Sequence, residues 1–491
     1  MFFKKSSNVI FRNYDSFGYI TDNRNFGYKK KNDNERVIGD KILSASGTVF
    51  FSVLDTIPRT LDELAGKIKR FFNDVDIETI KNDARNFYLT LEEDRFVASG
   101  ETPKECEKKD IRLSYKKSDA QTIKNNSSQT TTYQKKSPQD FLEEYFHGNP
   151  QLTNIHIEIT SKCNERCVHC YIPHENKTND IEPDLFYNIL KQSYDMNVLH
   201  LTLSGGEPML HKNFLQFITK CREYNFSINI LSNLTLLDDD IVEEIKKNPL
   251  LGIQTSLYSM DSNIHDGITQ QKGSFEKTKN AILKLIENDI TVQISCPIMS
   301  QNRNCYNDVV KWAEVHHIHA GDDYVIIANY DYTAKNLTCR LSSNEIKELI
   351  YEKSAQNPKY LEQIKIESES KKDISPEDPV CSVCNSSICI AENGTVYPCA
   401  GWQSYIVGNV KESSLNDIWQ HSEKAAYLRS LRKRDFPECI QCADKEFCTM
   451  CMVRNANESR LGDPFEINKY FCEIARLNKT ITLEAERKHA T

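Results

Sequence analysis

No apolar run in this 491-residue chain is long enough to span a bilayer, and the opening stretch MFFKKSSNVIFRNYDSFGYI turns polar too early for a secretion signal. A soluble, cytoplasmic protein without a membrane partner is expected. Basic blocks are missing as well: the net charge is -8, which removes the electrostatic footprint of a general nucleic-acid binder and excludes nucleic acid as a partner. No internal repeat marks a solenoid. The length exceeds what one core serves, so several domains and room for a buried site follow.

Cysteine, by contrast, is plentiful. Seventeen cysteines, eight of them in C-x2-C pairs, without a secretion signal, indicate metal ligation in a reducing compartment rather than disulfides. Three fall at 163–170 and nine between 381 and 472; Cys106, Cys221, Cys296, Cys305 and Cys339 stand apart, the last four reading as small core residues.

Residues 1–98 read as a small folded unit. SFGYI, NFGYKK and ERVIGD look like short strands between polar turns, and TLDELAGKIKRFF opens a helix with a Thr60/Glu63 capping box and Leu61, Leu64 and Ile68 on one face. DIETIKNDARNFYLTLEEDRFV continues at helical spacing. Residues 99–139 are polar and rich in Ser, Thr, Lys and Gln, the composition of a flexible tether. Over 140–342, the candidate strands IHIEIT, LHLTLS, FSINILSN, GIQTSLYS, TVQISCPI and DDYVIIANY alternate with amphipathic stretches, predicting a parallel sheet with crossover helices. Six units fall short of a closed eightfold barrel. SSNEIKELIYEKSAQN predicts a bridging helix within 343–372, and 373–491 is the cysteine-dense part.

In CNERCVHCY the spacing is C-x3-C-x2-C, formed by Cys163, Cys167 and Cys170 just after the first barrel strand. Three thiolates can hold three irons of a 4Fe-4S cluster and leave the fourth open to S-adenosylmethionine (SAM), whose reductive cleavage yields a 5'-deoxyadenosyl radical. Zinc wants a fourth ligand, for which only His169 or His174 lies near. The segment resembles the radical SAM superfamily signature. Two further segments resemble that family. LTLSGGEPML carries Gly205, Gly206 and Glu207, where the resemblance implies backbone approach and contact to the methionine ammonium. Ser232, Asn233 and Ser256 end later strands, where it implies polar contacts to SAM; strand-end caps are the alternative for each alone.

The second field, CSVCNSSICIAENGTVYPC, CIQCADKEFCTMC and Cys472, resembles the SPASM extension of radical SAM maturases, with C-x2-C where that pattern ends in C-x3-C. The resemblance implies two auxiliary 4Fe-4S clusters, three clusters in all. Cys439, Cys442, Cys448 and Cys472 would hold one. Cys451, Cys381 and Cys399, with Cys384 or Cys389, would hold the other; a zinc ribbon is the alternative. Strands followed by helices in the N-terminal unit resemble a winged-helix (PqqD-like) leader-recognition domain, which binds a leader by strand addition, with the candidate edge near Arg36 to Gly39.

The expected fold class is therefore α/β: a partial (β/α)6 TIM barrel with an N-terminal winged-helix-like α+β domain and a C-terminal cysteine-rich SPASM iron-sulfur domain. The resemblance implies a maturase of a ribosomal precursor peptide, of the sactipeptide or ranthipeptide type, that forms a thioether from a cysteine sulfur to a carbon. Its reductant would be a flavodoxin or ferredoxin. Carbon-carbon crosslinking, epimerisation, decarboxylation, a sulfatase-type protein maturase and a non-catalytic iron-sulfur protein stand as rivals. No catalytic acid or base is legible.

Overall fold

In NIHIEIT, Ile155, Ile157 and Ile159 enter the main core, while His156, Glu158 and Thr160 take the opposite face, as the period of two in a strand requires. The computed structural model describes residues 1–22, 39–110, 138–147, 149–248, 250–357, 359–372 and 374–489. Within it β7 (Asn154–Thr160) is followed by β8 (His200–Gly205), β9 (Ser227–Leu231), β10 (Gly252–Ser256), β11 (Val292–Ser295) and β12 (His319–Gly321), paired in parallel in that order. Crossover helices cover one side. The helix Pro183–Asp195, for example, starts with proline in its first turn and buries Phe186, Ile189 and Leu190. This is the expected partial (β/α)6 arrangement.

The sixth strand is a correction. DDYVIIANY was expected to form it, but the strand is His319–Gly321 and residues 322–329 are irregular. Side chains take the carbonyls of this run: Asn336 Nδ2 donates to Ile327 O at 2.8 Å, and Asn457 Nδ2 to Ala328 O at 3.2 Å. A backbone satisfied in this way has no need of a strand partner.

The sheet does not end with the barrel. β13 (Ser387–Ile390) pairs in parallel with β7, placing Cys389 opposite His156, and β14 (Thr395–Tyr397) and β15 (Gly408–Asn409) extend it antiparallel. The cysteine-rich part therefore shares one nine-stranded sheet with the barrel. Helices Ser343–Gln356 and Lys359–Glu369 lie between, the first opened by a Ser342/Glu345 capping box, and the helix Lys469–His489 packs on both.

The N-terminal unit holds two three-stranded sheets. β1 (Phe2–Lys5) lies between β5 (Arg59–Thr60) and β6 (Val97–Gly100); β2 (Ile10–Tyr14), β3 (Phe17–Thr21) and β4 (Asp40–Leu43) form the other, in that order. Phe3, Phe51, Leu64, Ile68 and Tyr88 fill the core between the sheets and helices Ala45–Ser52, Leu61–Ile68 and Ile77–Glu93. The capping box forms as expected, with Glu63 N donating to Thr60 Oγ1 at 3.2 Å and Thr60 N to Glu63 Oε2 at 2.8 Å. The count of three strands was too low, because β1, β5 and β6 pair segments far apart in the chain. NFGYKK, most of ERVIGD and the expected edge near Arg36 to Gly39 lie outside the described residues, except Gly39 and Asp40; β4 follows directly.

Residues 97–110 are not part of a tether. β6 completes the first sheet, and the helix Pro103–Lys109, capped by Thr102 and Glu105, buries Cys106 against Ala98. Lys4 closes this end on Asp110 at 2.6 Å. The remainder of the expected tether, 111–137, lies outside the described residues, and a helix runs over Pro138–His147.

The unit also docks directly on the barrel. Arg12, buried in β2, donates to Val198 O, immediately before β8, and to Asn225 O, just before β9. Asn225 Nδ2 donates to Val9 O at 2.8 Å and Asn197 Nδ2 to Asn13 O at 2.8 Å, while Tyr14, Phe17 and Tyr19 pack with Leu199. All these contacts lie at the N-terminal ends of the barrel strands, opposite the ends that carry the candidate site. Among the described residues no helix is long and apolar enough to cross a membrane.

Candidate functional site

β7 ends at Thr160, whose hydroxyl donates to Asp180 Oδ1 at 2.7 Å and accepts from Lys162 N at 3.1 Å, so the chain turns sharply into the cysteine loop. The loop is pinned from outside: Arg166 N donates to Thr269 O and Val168 N to Ile268 O, both on the helix Ser262–Thr269. Its sulfurs meet donors. Glu165 N points at Cys163 Sγ and Lys177 Nζ at Cys170 Sγ, each at 3.4 Å. Burial pushes the Cys163 thiol up to about 11 and Cys167 well above its ordinary value, the latter helped by Glu165 and by the neighbouring Cys170 and Cys163.

These residues fit an iron-sulfur cluster better than a single ion. Glu165 Oε1 and His169 Nδ1, both in the loop, are buried polar atoms without a hydrogen-bond partner among the described residues. Among the described residues only His156, Glu158 and Cys389 bring three ligand atoms within 4.8 Å of one another, so the three loop thiols stand wider apart than one zinc ion needs. His169 Nε2 faces the Tyr258 hydroxyl at 3.4 Å.

The strand ends form one connected network around the loop. Glu207, fully buried, accepts from Met209 N at 3.0 Å and Ser232 Oγ at 2.8 Å on one oxygen, and from Asn233 N at 2.7 Å on the other. Burial raises its carboxyl to about 7 against these hydrogen bonds. Asn233 Nδ2 continues to Asn164 Oδ1 at 2.8 Å, inside the cysteine loop. Ser256 ends β10, the next strand along, and pairs in register with Ser295. The close approach for which the glycines are needed is to the chain itself. Gly205 sits at φ +142°, a Cβ there would stand 1.8 Å from Thr160 O, and one on Gly206 would stand 2.2 Å from Lys162 O. The expected role of glycine, space for a ligand, is thus accompanied by a packing role: Gly206 N and Glu207 N donate to Thr160 O and Lys162 O, both at 2.8 Å.

The nine distal cysteines divide into two sets. Cys439, Cys442, Cys448 and Cys472 are mutual neighbours; burial, then Cys448, Cys472 and Cys442, raise Cys439 to about 11. Cys451 ends the C-x2-C pair immediately before the helix Met452–Glu458 and sits instead with Cys381 and Cys399. Cys384 lies on the Cys381 side of this inner set, beside Arg429, and Cys389 on the Cys399 side, facing Glu158. Of the cysteines outside the two fields, Cys106, Cys221, Cys296 and Cys339 are buried, while Cys305 is only half-buried, against Ser259 Oγ at 3.2 Å.

Beside the end of β7 opens a cavity of about 270 Å³, lined by Glu158, Thr160, Gly205, Tyr330, Glu392 and Gln403 among others. Gln403 Nε2 donates to both Glu158 oxygens, at 2.7 and 2.8 Å, and burial together with Glu392 raises the Glu158 carboxyl to about 8. Sequence reasoning missed Glu158, Glu392 and Gln403. A charged residue inside an otherwise apolar alternation, the Glu of IHIEIT, was the available signal for the first.

Residues 157–313 match the radical SAM superfamily and residues 381–443 the SPASM iron-sulfur cluster-binding domain. The chain thus carries a radical SAM domain followed by a SPASM domain. The two domains imply SAM and iron-sulfur clusters as its cofactors. The chain is 23% identical over 338 residues to a tungsten-containing aldehyde ferredoxin oxidoreductase cofactor-modifying protein of Pyrococcus furiosus, covering 60% of this chain and 88% of that one. It is 23% identical over 333 residues to the antilisterial bacteriocin subtilosin biosynthesis protein AlbA of Bacillus subtilis, covering 63% and 69%. Among solved structures, Streptococcus suis SuiB bound to its precursor peptide SuiA superimposes with a TM-score of 0.58 at 14% identity, over 96% of this chain and 100% of that one. The chain thus shares its fold with SuiB over nearly its whole length.

Proposed function

We propose that this radical SAM/SPASM protein is a maturase of a ribosomal precursor peptide and closes a thioether between a cysteine sulfur and a carbon of the peptide core. The observation that carries this reading is the cavity lined on one side by Thr160, Ser161 and Ile172, which flank the first cysteine loop in sequence, and on the other by Ala391, Glu392 and Tyr397, which lie between Cys389 and Cys399. SAM bound with a reduced 4Fe-4S cluster supplies a 5'-deoxyadenosyl radical able to take hydrogen from an unactivated carbon. Cys163, Cys167 and Cys170 would hold that cluster, and Gly205, Gly206, Glu207, Ser232, Asn233 and Ser256 would hold SAM. Cys439, Cys442, Cys448 and Cys472, and separately Cys381, Cys399 and Cys451 with Cys384 or Cys389, would hold two auxiliary clusters. Glu158, Glu175 and Glu392 are the carboxyl groups that line the cavity.

The N-terminal unit supports the peptide reading. Among the described residues β4 is the last strand of its sheet, the kind of element that takes an added strand from a leader. The names of AlbA and of SuiB with its precursor peptide point the same way. A flavodoxin or ferredoxin would supply electrons.

The test is anaerobic reaction of reconstituted protein with SAM, reductant and a cysteine-containing peptide encoded beside it. Formation of 5'-deoxyadenosine, loss of two hydrogens from the peptide and disappearance of one alkylatable thiol are expected. Two hydrogens lost with every thiol still free would mean a carbon-carbon crosslink, and unchanged mass with solvent deuterium incorporated would mean epimerisation. No 5'-deoxyadenosine with peptide present would end the enzyme reading.

A further inference from the structure

The chain that leaves the first cysteine loop comes back to it at Lys177. Residues His174–Asn176 make one short 3-10 turn, and the stretch after them is tied down on both sides of the lysine. Asn176 Nδ2 donates to the Tyr330 hydroxyl at 2.7 Å, while Thr178 N and Asn179 N both donate to Ser161 Oγ, at 3.1 and 2.9 Å. Asn176 and Thr178 are exposed, whereas Lys177 between them turns inward and is only 7% exposed. A lysine in a polar loop ordinarily keeps its ammonium in water. This one places Nζ 3.4 Å from Cys170 Sγ.

Among the described residues no carboxylate forms an ion pair with Lys177. The carboxyl group of the loop itself, Glu165, is engaged elsewhere: its Oε2 accepts from Cys167 Sγ at 3.4 Å, and burial pushes it up to about 7. The three loop sulfurs therefore have different company. Cys163 Sγ meets the backbone N–H of Glu165, Cys167 Sγ meets a carboxyl group, and Cys170 Sγ meets a cation. A buried ammonium without a counter-charge is costly, so its partner is to be sought in what the loop would hold.

A 4Fe-4S cluster on three thiolates is anionic and gains one further negative charge on reduction. An ammonium at hydrogen-bond distance from a ligand sulfur stabilises that anion, and the reduced form most. We propose that Lys177 is the built-in counter-cation of the SAM-binding cluster: its ammonium donates to the Cys170 thiolate and raises the reduction potential of that cluster. The inference rests on the reading in which Cys163, Cys167 and Cys170 hold a 4Fe-4S cluster. It makes Lys177 a positioning residue that eases the entry of the electron on which SAM cleavage depends, without touching the peptide.

The experiment is a redox titration of the reconstituted full-length protein, free of SAM and peptide, followed by low-temperature EPR. The SAM-binding cluster is recognised as the signal that changes when SAM is added and is lost in Cys170→Ala. Lys177→Met is expected to retain the iron of the parent and to lower the midpoint of that cluster, so that its ratio of reduced to oxidised form at a fixed potential falls about tenfold or more. The other signals should stay in place, and Lys177→Arg should return the midpoint toward the parent. An unmoved midpoint in Lys177→Met with iron retained would overturn the proposal. So would weaker SAM binding by calorimetry with the SAM-free midpoint unmoved, which would make the ammonium a partner of SAM instead. Loss of the cluster's iron in both Lys177→Met and Lys177→Gln, with retention in Lys177→Arg, would also support the need for charge, whereas loss in all three would overturn it. Failure of the cluster reading would show separately, as a parent protein with no signal that responds to SAM.

Discussion

The Arg12 guanidinium donates to Val198 O at 2.8 Å and to Asn225 O at 3.1 Å, lying between the Tyr194 and Phe226 rings at 5.5 and 5.3 Å. One buried cation thus joins the N-terminal unit to two turns of the barrel through backbone oxygens. Arg12→Ala is expected to destabilise the protein by about 2–4 kcal/mol, from orphaned carbonyls and lost ring contacts. Chemical denaturation measures the loss, and hydrogen exchange should rise first at residues 197–200 and 225–227. An unchanged exchange pattern there would contradict this picture of the interface.

Gly206→Ala tests the packing role of the glycine pair. The new Cβ would meet the backbone oxygen of Lys162 at 2.2 Å, so the start of the cysteine loop must move. A cost of about 1–3 kcal/mol is expected, with lower SAM affinity by calorimetry and loss of about one cluster's iron. Gly267→Ala, which meets nothing within 4 Å, is the matched control and should retain both.

Glu207→Gln keeps the size of the side chain but turns an NH2 group toward one of the donors now served by its oxygens. Weaker SAM binding is expected by about tenfold or more, since one charge-assisted hydrogen bond is lost and a donor is left facing a donor. Isothermal titration against the parent protein reads it, and circular dichroism checks that the barrel remains folded.

His265 is buried, accepts from Tyr258 N at 3.3 Å, and is held down to about 4 by burial. Between that value and the ordinary 6.5 the unfolded chain takes a proton that the folded protein refuses. Its stabilising contribution is therefore complete above pH 6.5 and is lost as pH falls toward 4, about 2–3 kcal/mol at most. In His265→Asn, which keeps an acceptor for Tyr258 N, the fall in urea midpoint between pH 7 and pH 5 should be smaller than in the parent.

Asn457 Nδ2 bridges Ala328 O at 3.2 Å and Gly401 O at 2.8 Å, tying the irregular run after β12 to the distal cysteine hairpin. Asn457→Ala leaves two buried carbonyls unpaired and is expected to cost about 1–3 kcal/mol. Proteolysis between residues 322 and 334 would accelerate.

Local signals carried over well. Thr60 and Glu63 announced a helix start because a capping box is closed within four residues, and IHIEIT announced a strand because alternation is local too. What the sequence hid depends on partners distant in the chain. SSICI reads as a fragment of a cysteine motif, and only pairing with β7, more than 200 residues away, makes it the strand that brings Cys389 to Glu158. DDYVIIANY has the composition of a strand, but Asn336, Arg340 and Asn457 claim its carbonyls. At the site, the regular cysteine spacings were legible, whereas Glu392 and Gln403 carry no pattern and join the cavity through the fold alone.

The N-terminal unit is fixed at the entry ends of the barrel strands and the cysteine loop at their exit ends, so with a leader held at β4, as proposed, the molecule would act as a ruler. The peptide would have to climb the outside of strands up to seven residues long and cross the rim before any of its carbons reached the cavity. At about 3.3–3.6 Å per extended residue that path takes on the order of ten residues. The length of spacer between grip and modified position, more than the identity of the residues in it, would then decide which side chain is processed first.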